Sequence, residues 1–179
     1  MIACVDVHYR DPTAVAACVL FQAWSDDKPM SETIVEIREV RPYVSGEFFR
    51  RELPCLLAVL RAINERPQSV IIDGYVWLGD ERPGLGAHLY AALDFQAAVI
   101  GVAKTKLENA KSREVLRGRS LSPLYVTAAG MNLAGAAHHI QEMHGEFRIP
   151  TLLKRVDQLS RIRSINGTSR KVENFEAEP

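Results

Sequence analysis

SVIIDG at residues 69–74 is the stretch that decides the fold. Four residues rich in β-branched side chains, closed by an Asp-Gly pair, read as a short strand buried on both faces that ends in a turn. After it come a glycine-rich loop at 79–86, a helix over Ala87–Leu93, and a second fully apolar run, AAVIGVA at 97–103, ending at Lys104. PLYVT at 123–127 reads as a further strand, and 131–143 and 151–162 as helices. Upstream the pattern differs. IACVDV at 2–7, AVAACVLF at 14–21 behind the turn signal Asp11-Pro12, and the alternating TIVEIREV at 33–40 form three strands with short links, an antiparallel meander. Between the two halves, Phe49, Leu53, Leu56, Leu60 and Ile63 recur at helical spacing, with Pro54 inside the run marking a first turn or a kink. Antiparallel strands followed by strand–helix alternation imply an α/β fold: a mixed sheet with helices on both faces.

Composition sets the limits. At 179 residues and 20.0 kDa, with 47% hydrophobic and 25% charged residues, the chain fits one globular domain, expected over 1–163 with a polar, disordered tail at 164–179. No apolar run is long enough to span a bilayer, and MIACVDV lacks the basic region of a signal peptide. Cys4, Cys18 and Cys55 are an odd number of thiols among apolar neighbours, which suits reduced cysteines in a cytoplasmic protein. Charge is balanced overall but not locally. Residues 1–103 hold 9 basic and 14 acidic side chains, whereas 104–171 hold 13 basic and 5 acidic. A nuclease, with carboxylates for cations and a basic rim for phosphates, would have this asymmetry; ordinary solvated faces also produce it.

In mixed sheets, polar groups at the carboxyl ends of central strands mark the site, and Asp6, Asp73 and Lys104 occupy such places. A carboxylate at the end of a buried strand is costly without a partner. Two of them on neighbouring strands repel unless a divalent cation holds both ionised, and oxygen-only ligation favours Mg²⁺ or Mn²⁺. For either acid alone a turn or cap role is the plainer reading.

The succession CVDVHY, RPYVSGEFFRRELP, VIIDG, VIGVAKTKL and PLYVTAAG, in this order and spacing, resembles the endonuclease V family from about Ile2 to Ser160. The resemblance implies a ribonuclease H-like fold and Mg²⁺-dependent cleavage of a phosphodiester near a deaminated base, inosine or hypoxanthine, in DNA or RNA. Asp6, Glu52 and Asp73 match the family's metal-binding carboxylates, and Lys104 the lysine near the scissile phosphate. Tyr43 matches the aromatic wedge that fills the gap left by a displaced base, while Gly46 and Gly74 match glycines that let backbone approach that base. Nucleic acid is the implied partner, with no membrane role.

The chain also departs from the family pattern. Methionine, Met131, stands where the family carries a histidine after the PLYV strand, close to the metal. A second family histidine corresponds to Gly79 or Asp80, and Tyr75-Val76-Trp77 is bulkier than the family's glycine-containing loop. The segment after Lys104 is short, and the helix that precedes the first strand in the family is missing. These departures imply slower chemistry. They also keep open a catalytically weak paralogue that binds nucleic acid or a protein partner through the same cleft. If Met131 replaces a metal-side histidine, it lies beside the carboxylates and Met131→His raises cleavage. His138, His139 and His144 have no zinc-ligand spacing and read as surface or packing residues; His8, two residues after Asp6, is the nearest histidine to the expected site.

Overall fold

The computed structural model describes residues 1–40, 42, 44, 46–80, 82–94, 96–162 and, for their backbone, 170–173. The elements are β1 (Ile2–Arg10), β2 (Thr13–Phe21), β3 (Ser31–Ile37), α1 (Phe48–Ala62), β4 (Ser69–Asp73), α2 (Leu85–Ala92), β5 (Ala98–Ala103), β6 (Arg113–Val115), β7 (Leu124–Ala129), α3 (Leu133–Glu142), α4 (Thr151–Ser160) and β8 (Arg170–Glu173). They build one sheet in the order β6-β7-β5-β4-β1-β2-β3-β8. The meander β1-β2-β3 is antiparallel, β4 and β5 run parallel to β1, and β7 reverses direction against β5.

Alternation along the strands divides the core. Ala3, Val5, Val70 and Ile72 pack on one face with Cys55, Leu56 and Val59 of α1 and Leu85 and Leu89 of α2. Ile2, Cys4, Ile71 and Ile100 pack on the other with Ala136 and Ile140 of α3 and Leu152, Val156 and Leu159 of α4. The central strands are covered on both sides, which is why they read as unbroken apolar runs. The three cysteines are free and buried.

Two elements differ from the sequence reading. β6 is three residues long and carries Arg113 and Glu114, so it has no apolar run to announce it. Arg170–Glu173, inside the segment expected to be disordered, pairs in parallel with β3, Ile34 opposite Arg170 and Ile37 opposite Glu173. The outer edge of β3 offers a row of backbone N–H and C=O groups, and pairing with it needs backbone rather than an apolar pattern.

Helix α1 is rotated from its expected face. Its buried residues are Glu52, Cys55, Leu56, Ala58 and Val59, whereas Phe49, Leu53 and Leu60 are only partly buried. An acid therefore sits on the inward stripe at i, with Cys55, Leu56 and Val59 at i+3, i+4 and i+7. Pro54, seventh in the helix, lies beyond the first turn and leaves the Arg50 carbonyl without an N–H to accept.

Candidate active site

β1 and β4 run side by side in register, Val5 opposite Ile72, and each ends its apolar run one residue later, at Asp6 and Asp73. Asp73 in turn lies opposite Val102 of β5, and Lys104 follows two residues on. Three adjacent parallel strands thus deliver two carboxylates and an ammonium to one end of the sheet. Lys104 Nζ lies 2.5 Å from Asp73 Oδ2, each side chain about half exposed (48%).

Glu52 joins them from α1. It is 7% exposed, and its Oε2 is buried with no hydrogen-bond partner among the described residues. Burial, followed by the charges of Asp6 and Asp73, pushes its carboxyl up to about 8. Burial also raises Asp6; the Ser160 hydroxyl, 2.7 Å from Asp6 Oδ2, opposes that rise, and the charges of Asp157 and Asp73 add to it. The carboxylates expected from the sequence therefore feel one another. They do not close on a point: among the described residues no three His, Cys, Asp or Glu side chains stand close enough to hold one ion.

Asp157 is the acid that sequence reasoning missed. It lies on α4, lines the same cleft as Asp6 and Asp73, and is paired with Arg161 at 2.9 Å. A signal existed: Asp157 and Ser160, three residues apart, border the apolar stripe Leu152, Val156 and Leu159, and Ser160 is fully buried. The cleft measures about 950 Å³ and is bounded by the strand ends on one side and by Gly118–Ser120, Glu146–Ile149 and α4 on the other. Arg119, Arg148 and Lys154 give it a basic rim.

The remaining expectations fall out unevenly. Tyr43 lies outside the described residues. Gly46 and Gly74 have φ of +81° and +125°, and a side-chain carbon added at either would meet no heavy atom within 4 Å, so their backbone is open to close approach. The bulky run after Gly74 is taken up by structure. The Val76 N–H donates to Thr127 Oγ1 (2.8 Å), Trp77 Nε1–H to the Ala128 carbonyl (3.1 Å) and Tyr75 O–H to the Thr105 carbonyl (2.7 Å). The loop lies so close over β5 that only glycine fits at 101, where a Cβ would sit 2.5 Å from the Gly74 carbonyl oxygen.

Met131 is a correction. β7 is antiparallel to β5, so its last residue, Ala129, pairs with Val99 at the start of β5, and Gly130 packs against Ala98. Lys104 lies five residues beyond Val99, on the order of 17 Å away at strand rise. Met131 is at the opposite end of the sheet from the carboxylates and packs on the α3–α4 core. Chain direction, which the local motif does not encode, placed it there. Met131→His is expected to leave any cleavage rate within about twofold of wild type, because a general base acts only within hydrogen-bond reach. A rate gain in a side-by-side assay would refute this placement. The histidines also have other employment: His88 stacks on Phe49 (3.8 Å between centroids), His139 on Trp24 (4.3 Å), and His144 bonds Thr151 (3.0 Å).

The chain is similar to known proteins over most of its length. The family model described as Endonuclease V matches residues 1–149. An endonuclease V of Rhodospirillum centenum is 31% identical over 183 residues, covering 88% of this chain and 75% of that protein. Among solved structures, Streptomyces avermitilis endonuclease V is 27% identical with a TM-score of 0.73, over 89% of this chain and 79% of that one. Ciona intestinalis endonuclease V, crystallised with a 24-mer DNA containing an inosine followed by a ribo-adenosine, superposes with a TM-score of 0.75 at 22% identity, over 89% and 84%. The architecture is the ribonuclease H-like α/β fold. No helix among the described residues is long and apolar enough to cross a membrane.

Proposed function

Because the chain belongs to the endonuclease V family, we propose that it is a Mg²⁺-dependent endonuclease cleaving a phosphodiester bond near inosine in DNA or RNA. The observation that carries this reading is Glu52, a buried carboxyl with an unpartnered oxygen, raised to about 8 by burial and by Asp6 and Asp73. An all-oxygen set of mutually repelling acids fits a hard divalent cation, Mg²⁺ or Mn²⁺, better than Zn²⁺. Asp6, Glu52 and Asp73 would hold it by drawing their carboxyl groups, which do not meet at one point, together around the ion. When bound, such a cation activates a water for attack on phosphorus and offsets charge on the leaving oxygen.

The chain's own residues supply the rest. Lys104, at the mouth of the cleft, can turn its ammonium from Asp73 to the charge that builds on the phosphoryl oxygens. Ser160 orients the Asp6 carboxylate. Backbone at Gly46 and Gly74 leaves room for a flipped base, and Tyr43 is assigned to the gap in the stack that flipping leaves. Arg119 and Lys154 attract the strand, and their contribution weakens as salt is raised.

The test is incubation of the purified protein with end-labelled DNA and RNA strands carrying one inosine, beside guanosine and adenosine controls, in Mg²⁺, Mn²⁺ or EDTA. One discrete product, dependent on both inosine and cation, is expected. Strand binding without a product would favour the paralogue that binds and does not cut.

A further inference from the structure

Phe147 is 67% exposed, although large apolar side chains are usually removed from water. It lines the cleft that holds Asp6, Asp73 and Lys104. Its backbone is held in place. Arg117, a guanidinium only 4% exposed, donates from Nη1 to the Phe147 carbonyl (3.1 Å) and from Nη2 to the Gly145 carbonyl (3.1 Å) and the Met143 carbonyl. Gly118, with φ of +58°, lets the loop after β6 lie directly on Glu146 and Phe147; a Cβ there would land on the Glu146 carbonyl oxygen. On the other side, Arg148 Nη2 donates to the carbonyls of Lys104 (2.5 Å) and Pro123 (2.7 Å). Two arginines, by their hydrogen bonds, and Gly118, by its lack of a side chain, therefore hold a segment whose phenyl ring is left in solvent.

None of the catalytic roles above uses this ring. Cations share its cleft: Lys154 Nζ is 6.0 Å from the ring centroid, at the outer limit of a cation–π contact, and Arg119 lines the same cleft next to the glycine that packs on the Phe147 backbone. An open aromatic face on a tethered backbone, with cations lining the same cleft and opening on a phosphodiester-cleaving centre, has the chemistry that single-stranded nucleic acid recognises: bases stack on the ring and phosphates meet the cations. Fixing the backbone beforehand lowers the ordering cost of binding, since only the side-chain torsions of the ring are left to settle.

We propose that Phe147 is a stacking platform for an unpaired base of the substrate strand, with Arg119 and Lys154 receiving the phosphates on either side. The proposal rests on the nuclease reading and assigns it a second base contact, made by a side chain and distinct from the backbone at Gly46 and Gly74.

Binding is measured in EDTA with a fluorescent single-stranded oligonucleotide that lacks inosine. Phe147→Ala weakens binding roughly 5- to 150-fold, the effect of losing one stacked base. Phe147→Leu, which keeps apolar bulk without an aromatic face, fails similarly, whereas Phe147→Trp binds as wild type or better and adds a tryptophan signal quenched by the strand. On an inosine substrate with Mg²⁺, KM of Phe147→Ala rises by more than kcat falls. A single abasic position in the strand should weaken wild type and leave Phe147→Ala unaffected. Should wild type bind and cut while Phe147→Ala or Phe147→Leu binds equally well, the platform is wrong and the nuclease reading stands. If wild type neither binds nor cuts any strand, both fall.

Discussion

Asp73→Asn should lower Mg²⁺-dependent cleavage of an inosine-bearing strand by about 10³-fold, the several kcal/mol that a cation site contributes to the transition state. Asp73 is in contact with two elements of the site at once. Its charge reaches Glu52 and Asp6, and its Oδ2 holds Lys104. The amide removes one of the anionic oxygens offered to a cation and loosens the lysine. Affinity for the strand should change by less than about threefold, since backbone charge dominates binding and one negative charge near the phosphates has been removed. Asp6→Asn should behave alike. Single-turnover cleavage and a binding isotherm in the same buffer separate the two effects; retained cleavage with Asp73→Asn would remove Asp73 from the chemistry. Asp157→Asn is the informative companion, because Asp157 acts on Asp6 from α4 and lies in the cleft.

In the absence of divalent cations, stability should fall as pH rises from about 4.5 to about 8. Glu52 has its folded-state value raised from 4.5 to about 8, so the folded chain favours the protonated carboxyl. The unfolded chain releases that proton near 4.5. Between the two values the folded state binds more protons, and each step up in pH therefore favours unfolding. A shift of this size corresponds to roughly 4–5 kcal/mol, reached above pH 8. Denaturant titrations in EDTA at pH 5 and pH 8.5 measure it. Glu52→Gln should flatten the dependence and be the more stable chain at pH 8.5, since a neutral amide avoids the desolvation of a carboxylate. Mg²⁺ at pH 8.5 should restore wild-type stability and help Glu52→Gln far less. An unchanged slope in Glu52→Gln would show that the carboxyl ionises freely and is not enclosed with Asp6 and Asp73.

Local pattern was enough for much of the molecule. The apolar runs at 2–7, 14–21, 69–72 and 97–103 mark β1, β2, β4 and β5 because a strand covered on both faces leaves no room for polar alternation. Asp73 and Lys104 were legible as site residues because each closes such a run at its carboxyl end; Asp6, expected at a strand end, stands inside β1, which stops pairing with β4 at Val5 and continues to Arg10 against β2. Their convergence follows from the parallel register of β1, β4 and β5. The helical period of 48–62 was also legible, but its inward face was not. Leucines on two adjacent stripes compete for the core, and packing against the sheet chose the stripe that contains Glu52.

What tertiary structure alone decided turns on direction and distance. Met131 comes just after its strand, as Lys104 does after β5, yet β7 runs against β5, and the reversal carries it to the far end of the sheet. Asp157 is an ordinary helical acid in sequence, paired with Arg161 at i+4; only the docking of α4 over β1 brings it to the cleft beside Asp6. Phe147 has no periodic partner, and its backbone is held by Arg117 and Gly118, some thirty residues upstream. A chain records by its own periodicity which residues leave water. Which of the remaining polar and aromatic side chains meet across space depends on strand direction and helix docking, interactions between segments that no local stretch contains.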